Sequence, residues 1–309
     1  MKTEAVRMAF TAALLEAAKN DETIFAVTTD SRGSVTLGDF AKQLPQQFVE
    51  IGIAEQNAIG VSAGLANAGL RPFVCGPASF YSLRSAEQIK VDVAYSNMNV
   101  KIMAVSGGVS YGALGTSHHA TQDIALMRAI PGIEVYLPAD GAQMRAMLKY
   151  FVKSNKPAYV RMGRGAVPEV YKDEAPFVSG KANCLREGKD IALIACGEMV
   201  YHCLQAAELL VEQGVEASVI DMHTLSPIDK DAIIKAAKTG LVITVEEHCI
   251  HGGLGSAVAS ILAEECPTAM CILGLPDEDI YNGASADVFE YYGLNGSGIA
   301  KKVLEVLKK

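Results

Sequence analysis

Short apolar runs recur along this chain at intervals a helix can fill, and that alternation restricts the fold more than any other feature. IFAVTT (24–29), QFVEI (47–51), RPFVC (71–75), VKIMAV (100–105), IEVYL (133–137) and AYVRM (158–162) are rich in β-branched residues, with at most one charge each. Runs this short read as strands. The stretches between them are of helical length: a first helix capped by Thr3 and stopping near Asn20-Asp21, then 55–70, 82–96, 121–130 and 141–153. Strand and helix in alternation imply an α/β fold, a mainly parallel twisted sheet with helices on both faces. IALIAC (191–196), EASVID (216–221), LVITVE (241–246) and MCILG (270–274) repeat the arrangement, and a last helix is expected over 298–309.

Between the two sets, residues 166–188 (AVPEVYKDEAPFVSGKANCLREG) replace apolar periodicity with proline, glycine and charge. The expected division is therefore a first domain over 1–165, a linker over 166–188 and a second domain over 189–309. A chain of 309 residues, half of them apolar, has material for two cores. Its net charge of −8, with no basic cluster, excludes a nucleic-acid surface as the main function. The seven cysteines form no CxxC pair and most sit in apolar runs, as expected of reduced thiols in a cytoplasmic protein. The N-terminal MKTEAVRMAFTAALLEAAKN is interrupted by Glu4, Arg7 and Glu16, so it reads as an amphipathic helix and not a signal sequence. No apolar stretch is long enough to span a bilayer.

One carboxylate stands apart. In EIGIAEQNAIG (50–60) an apolar run ends at Gly52, and Glu55 opens an Ala- and Gly-rich helix with almost no charge. Such a helix packs closely on its neighbours, so Glu55 is expected to see little water. Desolvation favours the protonated acid and suits it to share a proton. The same position also suits a first-turn acid stabilised by the helix dipole.

This stretch, with RPFVCGPASFYSLRSAEQIK (71–90), GTSHHATQDIALMRAIPGIEVYLPAD (115–140), YVRMGRG (159–165) and EEHCIHGGLGSAVA (246–259), resembles the C-terminal half of transketolases. That half comprises a pyrimidine-binding domain and a transketolase C-terminal domain, and the segments occur in the family's order. The resemblance implies a thiamine-diphosphate enzyme in which Glu55 shares a proton with the cofactor's aminopyrimidine. It further implies that Phe80, with Tyr81 beside it, offers the aromatic face on which that ring stacks. Gln88 would hydrogen-bond the pyrimidine edge, and Arg84 would either join it or serve as an ion-pair partner. Asp30 and Ser34 correspond to positions beside cofactor and substrate. His118 matches the family's substrate-facing histidine, with a catalytic role in proton transfer, while His119 matches more weakly. Arg164 matches a phosphate-contacting arginine, whose planar fork suits a phosphate or sulfonate tail. Arg161 is expected to be strand-end structure.

Two departures bear on the substrate. Positions that bind ketose hydroxyls in ordinary transketolases align with Ser106 and Leu114 here. Leucine in place of an acceptor disfavours the usual polyol. In the second domain, Gly252 to Ser256 opens a helix and could cradle an anion, whereas Glu247 and His248 are expected to be interface or core groups.

The family's diphosphate and magnesium motif, Gly-Asp-Gly followed downstream by Asn, is missing. The one Gly-Asp is Gly38-Asp39, followed by Phe40, and no loop here supplies an octahedral oxygen shell. No metal ligand is assigned to this chain, and Mg2+ is expected to bind through a partner subunit. The chain thus reads as the C-terminal-half subunit of a two-polypeptide transketolase, moving a two-carbon ketol unit from a ketose to an aldose. Its partner is an N-terminal, diphosphate-binding subunit, its substrate is sugar-phosphate-like, and self-association through the C-terminal half gives an expected α2β2 assembly. The alternatives are a 2-oxoacid dehydrogenase β-type or deoxyxylulose-phosphate-synthase-like subunit and, from another class, a non-catalytic scaffold or regulatory subunit.

Overall fold

The computed structural model describes residues 2–172 and 174–308. Met1, Asp173 (inside the expected linker) and Lys309 (the end of the expected last helix) lie outside them. Two sheets carry the architecture. The first has seven strands in the order Thr224–Ser226, Glu134–Tyr136, Ala158–Met162, Lys101–Val105, Arg71–Pro77, Ile24–Thr28 and Phe48–Glu50. All its pairings are parallel except the edge one, Thr224–Ser226 against Glu134–Tyr136. The second has five strands in the order Ala269–Leu275, Leu241–Cys249, Ile191–Ala195, Ala217–Asp221 and Asn183–Arg186. There too only the pairing of the edge strand Asn183–Arg186 is antiparallel.

The continuous apolar runs follow from burial on both faces, because side chains alternate across a strand. In Arg71–Pro77, Val74 faces one core while Phe73 and Cys75 face another. Helix Glu55–Asn67 covers the first face through Ala58, Ile59 and Ala63. Helices Val6–Ala18 and Gly141–Phe151 cover the second through Phe10, Leu14, Met144 and Met147. In the second sheet, Leu193 packs with Val200 and Val303, and Ile194 with Ile233 and Val258. The core that holds Val135 and Leu137 continues into Ala192, Ile194 and Met222, so the two units share one apolar interior.

Several local expectations are corrected. Thr3 is not a helix cap: Thr3–Ala5 is a strand antiparallel to Ala166–Pro168, and the helix starts at Val6. Residues 82–96 are not a regular helix. Two π-helical segments, Phe80–Arg84 and Ile89–Tyr95, flank a single α-turn at Ala86–Gln88. A π turn inserts one residue and rotates everything after it, a distortion common at functional sites. Finally, Thr224–Ser226 leaves the second unit to extend the first sheet, with Thr224 opposite Tyr136. Period-2 patterning over three residues is too short to reveal such a crossing.

Candidate functional site

The site lies at the C-terminal ends of the first sheet's strands, where an open parallel α/β sheet places its ligands. The chain turns from strand Phe48–Glu50 into helix Glu55–Asn67 through Gly52, whose φ of +79° a side chain would disfavour. Glu50 ties this turn to the neighbouring loop. Its Oε1 accepts from the Asp30 N–H at 2.7 Å and from the Gly52 N–H at 3.1 Å.

Glu55 is the first residue of the helix and is 3% exposed, as expected of a carboxylate with little water around it. It is not alone, however. Arg84 Nη1 donates to Glu55 Oε2 at 2.7 Å, and the same guanidinium lies 4.4 Å from the centre of the Phe80 ring. The ion-pair alternative for Arg84 is therefore the one observed. A planar N–H donor thus occupies the space between acid and phenyl ring.

From Phe80 a line of rings leads across the site. The His118 imidazole meets Phe80 edge-on at 5.2 Å and Tyr111 at 5.1 Å, and the Arg164 guanidinium sits 4.9 Å from the Tyr111 ring centre. Ser117 Oγ lies 3.0 Å from His118 Nδ1. Beyond Arg164 is Arg7, whose Nη1 donates to the Ser34 carbonyl. Burial, and then the like charge of Arg164, hold Arg7 below the ordinary arginine value. Arg7 Nε and Arg164 Nη1 are buried without hydrogen-bond partners. Neither arginine forms an ion pair with a carboxylate among the described residues. Two adjacent cations with unsatisfied donors are a demand for an anion.

The sequence-predicted residues divide accordingly. Glu55, Phe80, His118 and Arg164 come together in this line, and Ser34 joins it through its carbonyl. Gln88 Oε1 is buried without a partner, an acceptor left open. Asp30 is exposed with φ of +52°, and only its backbone is tied to the site, through Glu50. Tyr81 is corrected. It is fully buried, its hydroxyl 3.3 Å from Thr29 Oγ1, and a Cβ on Gly76 would lie 2.1 Å from its ring. No face of it is left for a ligand to stack on. His119 is likewise buried, its Nε2 3.1 Å from the Gly112 carbonyl, so it shapes the loop. Ser106 is buried at φ of +61° and Leu114 is 55% exposed.

Arg7 and Tyr111 are the site residues that sequence reasoning missed. Arg7 counted only as one charge on an amphipathic helix. Tyr111 is the single aromatic in the glycine-rich loop, a signal that could have marked it.

Three residues before Arg164, on strand Ala158–Met162, Arg161 lies in a closed network. Its Nη2 donates to the Glu247 carbonyl at 2.8 Å and pairs with Glu247 Oε2 at 3.2 Å, while Nε is 3.4 Å from Asp123 Oδ2. Burial opposes the Arg161 charge, yet Asp123 and Glu247 hold it more firmly protonated than an ordinary arginine. Glu247 Oε1 also accepts from the Val109 N–H at 2.8 Å, so the second unit grips the glycine-rich loop. At Gly108 (φ +58°) a Cβ would lie 2.1 Å from that carboxyl, which only glycine allows.

The expected anion cradle at Gly252 to Ser256 is corrected too. Glu246 fills it, accepting from the Leu254 N–H at 2.7 Å and the Gly255 N–H at 2.8 Å. Burial raises this carboxyl to about 7, against the pull of those two bonds. The chain's own acid already satisfies the helix N-terminus.

Residues 2–169 match the family described as "Transketolase, pyrimidine binding domain", and residues 180–299 match "Transketolase, C-terminal domain". The chain is 55% identical over 307 residues to a subunit of the apulose-4-phosphate transketolase of Phocaeicola vulgatus, covering 99% of this chain and 98% of that protein. It is 37% identical over 297 residues to a 6-deoxy-6-sulfo-D-fructose transketolase subunit of a Clostridium species, covering 96% and 92%. A solved structure described as "Split gene transketolase, inactive beta4 tetramer" superimposes with a TM-score of 0.89 at 39% identity, covering 99% of each chain.

Proposed function

Because the chain belongs to the transketolase family, we propose that it is the C-terminal-half subunit of a two-polypeptide transketolase that moves a two-carbon ketol unit between sugars. The observation that carries this reading is the single line of groups from Glu55 to Arg7. It places a buried carboxylate at one end and an uncompensated arginine pair at the other, with an aromatic face and an imidazole between them.

The residues present fit the pyrimidine half of thiamine diphosphate. Glu55 and Phe80 flank a flat space that the Arg84 guanidinium fills, so the aminopyrimidine would displace that side chain on binding, and Gln88 Oε1 is an acceptor without a partner. Thiamine diphosphate, when bound, supplies the carbon nucleophile that carries the ketol unit. Glu55 holds or returns a proton at its carboxyl oxygen, and its burial keeps water from competing for that proton. Phe80 offers a flat apolar wall. His118, flanked by two rings, hydrogen-bonds a substrate hydroxyl and passes a proton. Arg164 and Arg7 fix an anionic tail, which holds the reacting carbon in place. The relatives' named substrates carry a phosphate or a sulfonate, the chemistry such a pair selects. Leu114 gives the pocket an apolar wall that disfavours the ordinary polyol.

The metal end does not fit. Asp39 lies exposed in the first turn of helix Gly38–Gln43, and no group of three His, Cys, Asp or Glu residues among the described residues could hold a metal ion. The diphosphate and Mg2+ are therefore assigned to the N-terminal partner subunit. Ile53, 76% exposed beside Glu55, and Leu83, 56% exposed beside Arg84, form the apolar rim such a partner would cover. An α2β2 assembly in the cytoplasm completes the proposal, in keeping with seven cysteines that form no CxxC pair. No described helix is long and apolar enough to cross a membrane.

Mixing the purified chain with a subunit carrying Gly-Asp-Gly followed downstream by Asn, plus thiamine diphosphate and Mg2+, tests the reading. Ketol transfer is expected from the mixture and none from either chain alone. Turnover by this chain alone would refute the split enzyme.

A further inference from the structure

Tyr111 has no part in the reading above beyond its position in the line of rings. Three observations give it one. Its ring carries the Arg164 guanidinium at 4.9 Å and meets His118 edge-on at 5.1 Å, so it supports both candidate substrate groups at once. It is half-buried, and its hydroxyl has no hydrogen-bond partner among the described residues. It also cannot easily withdraw. The next residue, Gly112, has φ of +55°, and a Cβ there would lie 2.8 Å from the Gly283 carbonyl of the second unit, so the backbone is boxed in. At the two loop positions that align with ketose-hydroxyl contacts, Leu114 has no polar side-chain atom and Ser106 Oγ is buried.

We propose that Tyr111 is a specificity-determining residue whose hydroxyl donates to the tetrahedral oxyanion, phosphate or sulfonate, that Arg7 and Arg164 attract, while its ring holds Arg164 in place. The proposal rests on the anion reading of that arginine pair. A phenol suits the task because it is rigid and always a donor at neutral pH, and its ring faces a cation.

The test is direct binding to the full chain, without turnover. Inorganic phosphate and methanesulfonate are titrated separately into the wild type, Tyr111→Phe, Tyr111→Leu and Arg164→Ala, with thermal melting as the folding control. Tyr111→Phe keeps the ring and should weaken anion binding about tenfold or more, the worth of a hydrogen bond to a charged group. Tyr111→Leu should weaken it further, because Arg164 loses its support. A loss with both probes shows that the hydroxyl reads any such oxyanion; a loss with one identifies the source. Wild-type affinity in Tyr111→Phe, with Arg164→Ala weakened, overturns the role of Tyr111 alone. Equal binding by wild type and Arg164→Ala overturns the anion site and this proposal together.

Discussion

Arg161 and Arg164 stand three residues apart on one strand and its exit, and they do opposite things. Arg161 is buried and held by Asp123 and Glu247, with every charge answered inside the chain. Arg164 lies over Tyr111 beside a second arginine, with no carboxylate partner among the described residues. The two glycine-rich segments differ in the same way. The loop at 252–256 is filled by Glu246, whereas the loop at 106–119, held at Val109 by Glu247, carries Tyr111 against Arg164 and His118 against Tyr111. Residue type and glycine content do not distinguish a site from a scaffold here. What separates these two arginines is whether a carboxylate of the chain pairs with them: Arg161 has two such partners and Arg164 has none among the described residues.

The largest effect should come from breaking the closed network. Glu247→Ala leaves Arg161 as a partly uncompensated buried cation and frees the Val109 N–H. Urea denaturation should show a loss of about 3–5 kcal/mol. A loss under about 1 kcal/mol, the scale of an exposed pair, would mean that Arg161 is no more structural than Arg164.

Arg164→Ala should do the reverse. Unfolding free energy should stay within about 0.5 kcal/mol of wild type, as for a substitution outside a packed network. In the reconstituted enzyme, KM for an anionic donor should rise about ten- to a hundredfold, the size of a charge-assisted hydrogen bond. Lost stability with unchanged KM would erase the contrast between the two arginines.

How much of this was legible in the sequence depended on range. Glu55 could be placed at a helix start because Gly52 and the Ala-rich run are its neighbours in sequence. The strands were readable because both faces of each sheet are covered, which leaves long apolar runs. Arg7 was not readable: its place beside Arg164 is set by packing of the first helix across the sheet, and no local pattern encodes that. Nor was the inward turn of Tyr81, which follows from a π segment that sequence spacing does not announce. The filling of the second glycine loop by Glu246 depends on a carboxylate eight residues upstream reaching the helix start. The same residues would read identically with the cradle open.

A smaller, pH-dependent effect sharpens the comparison on the scaffold side. Asp221 accepts from Tyr171 Oη and Gln143 Nε2, each at 2.6 Å, yet burial raises it from 3.8 to about 7. Between these values the folded chain keeps a proton that the unfolded chain has released. Its stabilising contribution is therefore full below about pH 4 and is lost as pH rises through about 7. Asp221→Asn should flatten that slope in melting curves taken from about pH 4 to 8, and an unchanged slope would assign it to other groups.

In the proposed reaction Glu55 handles the proton, and one substitution tests that directly. Glu55→Ala in the reconstituted pair should cut ketol transfer by about 10²–10⁴-fold, the usual worth of a positioned proton-transfer group, while the subunits still assemble. Transfer at the wild-type rate by the assembled variant would contradict the account and leave the chain a scaffold for chemistry performed elsewhere.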